Sequence, residues 1–149
     1  YPPFELLGAR NLAQDPARGA RDLSHADVAP EMILAWDPDV IFLDLATLQL
    51  GDRQSGLHEL RTDPAYRTLT AVQEGRVHGL LPDNWYAENF GSVLANAYYV
   101  GKTLYPARFA DVDPPARADA IYRFLVGAPV FDALDAAFGG LAFQRLPVD

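Results

Sequence analysis

Apolar positions along the chain follow two different rhythms. The run Val40-Ile41-Phe42-Leu43-Asp44-Leu45 scarcely alternates and is rich in β-branched and aromatic residues. It predicts a strand covered on both faces. "RVHGLL" (76–81), entered from a Glu74-Gly75 turn, predicts a second strand. Elsewhere the period is helical. Phe90, Val93, Leu94, Ala97, Tyr98, Gly101, Leu104 and Tyr105 fall on one stripe at i, i+3, i+4, i+7 and onward, ended by Pro106. Asp113-Pro114 opens a further helix, with Ala118, Ile121, Phe124 and Leu125 inward and Gly127 as its stop. Shorter helices are expected over 4–13 (with Pro2 and Pro3 ahead of it), 57–61, 63–72 and 130–138. Another starts at Pro30, whose missing N–H costs nothing at a first helical position. "DPARGARDLSHAD", "LATLQLGDRQSG" and "PDNWYAEN" read as loops, with short edge strands near 22–28. The βαβ order predicts an α/β fold: a three-layer domain with a mostly parallel central sheet flanked by helices.

Composition narrows the function. The chain has 149 residues, half of them hydrophobic and 21% charged, which suits one domain over 1–149 with a real core. The formal net charge of −8 argues against nucleic acid, whose phosphates need a basic face. With no cysteine there is no disulfide framework, thiol nucleophile or thiolate metal site. No apolar segment reaches membrane-spanning length. The start "YPPFELLG" carries neither an initiator Met nor a signal peptide, and reads as a piece of something longer.

Most motifs of catalysis fail on inspection. "VGKT" (100–103) has the tail of a phosphate-binding loop, but Asn96 stands where that motif needs glycine, and the stretch lies within a helix. His25, His58 and His78 show no metal-ligand spacing, and no GxSxG or Ser/His/Asp set can be assembled. No catalytic residue, metal or cofactor is expected. One alternative is a response-regulator receiver domain phosphorylated on Asp44 at the strand end. It lacks an upstream acidic pair for Mg²⁺, and the single lysine, Lys102, falls in a helix. Asp44 has a simpler use, accepting backbone N–H groups of the loop that follows. In parallel sheets ligands bind beyond the carboxyl ends of the strands. The aromatics of "DNWYAENF" (83–90) fall there, either offering rigid surface to a ligand or packing beneath the loop.

"VAPEMILAWDPDVIFLD", followed by "LRTDPAYRTLTAVQEGRVHGL" and then "DNWYAENFGSVLANAYYVGKTLYP", resembles the C-terminal lobe of the periplasmic binding proteins of iron-siderophore, haem and vitamin B12 ABC importers. The last segment is most similar to the iron-chelate branch. The resemblance covers nearly the whole chain. It implies a non-enzymatic solute-binding component, periplasmic or otherwise extracytoplasmic, with lipid or membrane association possible for such proteins. Ligand would be held between this lobe and an N-terminal lobe outside the present sequence. The implied ligands are iron-siderophore first, then haem, a corrinoid, or a naked oxyanion. By matching, Trp85 and His25 fall at cleft-lining places, with Asn84, Tyr86 and Thr47 nearby. His25, which departs from the aromatic some relatives carry, would hydrogen-bond a chelate's oxygens, ligate iron at an open position, or do neither. Glu31 matches the glutamate that docks on arginines of the membrane permease; in a first helical turn it also complements the helix dipole.

Overall fold

A computed structural model describes residues 1–13, 28–50, 55–84 and 87–148, the side chain of Leu50 excepted. The elements run α1 (Pro2–Leu7), α2 (Pro30–Trp36), β1 (Ile41–Asp44), a 3₁₀ turn (Leu45–Leu50), α3 (Gly56–Thr62), a second 3₁₀ turn (Tyr66–Thr68), α4 (Thr70–Gln73), β2 (Val77–Leu80), α5 (Phe90–Leu104), α6 (Pro114–Val126) and α7 (Phe131–Ala137). β1 and β2 pair in parallel, with Ile41 opposite Val77 and Asp44 opposite Leu80. The far edge of β2 is closed by the C-terminal segment running antiparallel. Gly79 N–H donates to Gln144 O (3.1 Å), Phe143 N–H to Gly79 O (3.0 Å) and Leu146 N–H to Val77 O (2.8 Å).

Alternation along these strands builds the layers. Ile41, Leu43 and Val77 face one way and join Ile33, Leu34, Leu57, Leu60, Tyr66, Leu69 and Val72 from α2, α3, the second 3₁₀ turn and α4. Phe42 and Leu80 face the other way and meet Phe4, Leu7, Tyr99, Val100 and Leu104 of α1 and α5. The sheet is therefore parallel at its centre and flanked by helices on both faces, as the sequence predicts. The lack of alternation in "VIFLD" follows, because both faces need apolar side chains.

Several boundaries differ from the sequence reading. α1 starts at the prolines and stops at Leu7, because Gly8 turns left-handed (φ 63°) and its N–H bonds to Glu5 O. The helix expected over 63–72 is broken in two. Leu69 is extended (ψ 133°), and Thr70 N–H donates to the Asp37 carboxylate (2.7 Å), not to a preceding turn. "LATLQL" is a 3₁₀ turn, not an irregular loop. The stripe on α5 is rotated. Phe90 and Leu94 are exposed, while Ser92, Ala95, Asn96, Tyr99 and Val100 are buried, because Ser92 and Asn96 satisfy their polar groups inside. On α6, Phe124 (88% exposed) and Leu125 point outward, and Tyr122 takes the inward place with Ala118. Of the edge strands expected near 22–28, residues 22–27 lie outside the described residues.

Candidate functional site at the carboxyl ends of the strands

Two parallel strands deliver the chain to the same end of the sheet. β1 ends on Asp44 and is followed by Thr47 and Gln49; past β2 stand Asp83, Asn84, Glu88 and Asn89. Asp44 turns the chain: its carboxylate accepts Ala46 N–H (2.8 Å) and its carbonyl accepts the Thr47 hydroxyl (2.9 Å). The connection after β2 is closed at its base by Asn89 N–H donating to Asp83 O (2.7 Å) and by the Asn84–Glu88 bridge. Asn89 then caps α5, its Oδ1 accepting Ser92 N–H (3.1 Å).

One buried amide fixes where β2 ends. Asn96 on α5 accepts Leu81 N–H at Oδ1 (3.1 Å) and donates from Nδ2 to Leu81 O (2.8 Å) and to the Tyr1 hydroxyl (3.0 Å). Its side chain takes the place of a neighbouring strand just where the ladder stops.

Electrostatically this end is acidic. Burial raises the Asp44 carboxyl, against the opposing pull of the Ala46 N–H. Burial raises Asp83 too, followed by the charge of Asp44 and a smaller push from Glu88. Burial raises the Tyr1 hydroxyl, with Asp83 and Asp44 adding to it, so an un-ionised phenol neighbours two acids. Behind them His78 is buried, and its Nδ1 lies 2.7 Å from the Tyr99 hydroxyl. Burial, then the charge of Arg145, lowers this imidazole to about 4. Burial also pushes the Tyr99 hydroxyl up to about 12. A neutral phenol beside a neutral imidazole fits the O–H donating to Nδ1, with the ring proton on Nε2.

Among the described residues, no group of three or more His, Asp or Glu side chains is placed to hold a metal ion. Lys102 Nζ donates to Phe109 O (2.8 Å) and Ala110 O (2.7 Å), so this lysine braces the turn after α5 and is not beside Asp44. Among the described residues, then, neither the lysine nor the metal-holding acidic group of a receiver domain stands with Asp44.

Of the residues singled out from sequence, Thr47 lies in the connection after β1 and Asn84 in the connection after β2. Trp85, Tyr86 and His25 lie outside the described residues. Glu31 is exposed in the first turn of α2, in the helical layer opposite α1 and α5; together with Glu59 and Asp63 its charge reaches the buried Tyr66. Sequence reasoning missed Asp83, Asn96 and Asp37. Asp83 had a usable signal, since it follows an apolar strand as Asp44 does. Asp37 and Asn96 act through partners far away in the chain, which no local pattern reveals.

Asp37 bears on identity. Its carboxylate binds both Thr70 N–H and the Thr70 hydroxyl (2.7 Å each), joining the "WDPDV" corner to the start of α4. The two sequence blocks that carry the family resemblance are thus one physical unit. The family model described as "Periplasmic binding protein" matches residues 3–83, more than half of the chain and both blocks. The chain belongs to the periplasmic binding protein family. The family is a class of solute-binding, non-enzymatic proteins, and membership implies a solute-binding role and an extracytoplasmic location. The match ends at Asp83, so the segment from Asn84 through α7 lies beyond it. No curated protein matches the chain. No described helix of this periplasmic binding protein is long and apolar enough to cross a membrane.

Proposed function

We propose that the chain is the C-terminal lobe of the solute-binding component of an ABC importer for iron chelates or related metal complexes. Ligand is captured between the carboxyl ends of β1 and β2 and a second lobe of the same protein. Docking on the permease then uses Glu31. The observation that carries this reading is the family match through the two strands, combined with the polar residues both strands release at one end. Thr47 and Asn84, with Trp85, Tyr86 and His25, supply contacts to an iron-siderophore, haem or corrinoid. A rim glutamate on α2 is suited to steering association with basic permease residues, so it governs rate and salt dependence more than ligand affinity.

The test uses the protein with both lobes. Glu31→Arg is expected to abolish uptake while leaving ligand affinity unchanged, measured by transport and by fluorescence titration; unchanged uptake removes Glu31 from docking. Trp85→Ala is expected to weaken ligand binding by about 1–3 kcal/mol, the scale of a lost aromatic contact.

A further inference from the structure

A cavity of about 220 Å³ opens beside the strand ends, lined by Gln49, Leu81, Pro82, Asn89, Ser92, Leu134 and Phe138. Its floor is apolar: Leu81 is fully buried, and Leu134 and Phe138 come from α7. Two exposed carboxamides, Gln49 and Asn89, stand at its mouth. Asn89 uses its Oδ1 to cap Ser92 N–H, which leaves its Nδ2 donors without a partner among the described residues. The Gln49 side chain makes no hydrogen bond among the described residues. The Ser92 hydroxyl is taken by Tyr122 (2.9 Å), so it is not free for a guest. Among the described residues no charged side chain lines the cavity, and Asp44 and Asp83 stand at the same end of the sheet.

Close-packed interiors leave few voids larger than a water molecule. An apolar cavity of about 150 Å³ is enough to take a benzene ring. A larger one, with a greasy floor and unused amide donors at the lip, has the anatomy of a small-molecule pocket, in which a few polar groups orient an apolar guest. An anion entering it would shed water without meeting a cation among the described lining residues and would approach two carboxylates.

Resting on the solute-binding reading above, we infer that this cavity is a ligand subsite for an uncharged, ring-sized arm bearing a carbonyl or hydroxyl acceptor. Asn89 Nδ2 and the Gln49 amide donate to that acceptor, and the ring lies on Leu81, Leu134 and Phe138. Leu134 on α7 and Phe138 at its end lie beyond the stretch matched by the family model. The subsite sets which arm is accepted and leaves the common fold unchanged.

The experiment titrates the chain with benzamide and with benzoate, near-isosteres differing in charge, and follows backbone amides by two-dimensional NMR. Benzamide is expected to give saturable shifts at Gln49, Leu81, Asn89 and Leu134, with benzoate at least about tenfold weaker. Leu134→Trp fills the floor and removes those shifts. Asn89→Asp keeps the cap on α5 but replaces the donor with a carboxylate, so benzamide binding falls while helix content stays the same. Equal binding of benzoate, shifts elsewhere only, or benzamide binding unaffected by Asn89→Asp overturns the subsite. A ferric chelate binding the two-lobed protein without benzamide binding here removes the subsite and leaves the solute-binding reading intact. Benzamide binding without any chelate binding does the reverse.

Discussion

Asn96 is the residue on which the end of β2 depends. It satisfies both backbone groups of Leu81, a residue with 1% exposure, so neither group has water to fall back on. Asn96→Ala strips partners from a buried donor and a buried acceptor, at about 1–3 kcal/mol each. A loss of roughly 2–6 kcal/mol in urea unfolding is therefore expected. Asn96→Asp keeps the acceptor for Leu81 N–H but loses the donor, and should also destabilise. His78 supplies a pH dependence. Its folded-state value is about 4 against 6.5 unfolded, so in between the unfolded chain binds a proton that the folded chain refuses. Stability contributed above pH 6.5 is lost as pH falls toward 4, on the order of 3 kcal/mol in all. Unfolding measured across that window should show the slope in the wild type and its disappearance in His78→Phe. Asp44 and Asp83 act oppositely. Their folded values are raised, so their contribution is present in acid, below the unfolded value, and is lost as pH rises through the folded one. Asp83→Asn is expected to raise the melting temperature at neutral pH and to have no such effect in strong acid. Carboxylates kept at a stability cost are common where a site serves binding.

The informative element-scale features are the two places where distant segments lock together. Asp37 adopts a left-handed conformation (φ 40°) while its carboxylate caps Thr70. Asn tolerates that backbone and keeps an acceptor, Gly relieves the backbone but loses the cap, and Ala loses both. Melting temperatures should therefore fall in the order wild type, Asp37→Asn, Asp37→Gly, Asp37→Ala. A flat series removes the cap from the account. The second lock is β2 against the C-terminal segment. A Cβ on Gly79 would collide with the Leu141 carbonyl and crowd Leu146 and Leu45. Backbone cannot swing aside as a side chain does, so Gly79→Ala should cost about 3 kcal/mol and loosen residues 141–146 first, as seen by amide exchange. The strands themselves were legible from sequence, because a dense β-branched run admits few alternatives. The break at Leu69 was not, since its cause lies more than thirty residues upstream, at Asp37. The buried face of α5 was misread for a related reason: Ser92 and Asn96 look like solvent positions until Tyr122, Tyr1 and Leu81 are brought to them.

At the scale of the molecule, the parallel pair brings both strand connections to a single end of the sheet. Both strands point the same way, so Asp44, Thr47, Asp83, Asn84 and the amide-lipped cavity gather on one side of the sheet. Glu31 belongs to a helical layer apart from that pairing, so under the proposed function ligand capture and permease docking would be altered separately. The family was legible in two sequence blocks; the acidic, neutral-pocketed character of the strand ends was not, because it arises from residues brought together only by the fold. Hydrogen–deuterium exchange on the two-lobed protein, with and without a ferric hydroxamate, a ferric catecholate, haem or cobalamin, addresses the claim most directly. The account predicts that at least one of these binds and slows exchange at residues 44–49 and 80–89, leaving α2 and α3 unchanged. Binding that protects only α2 and α3, or no binding by any of the four, contradicts it.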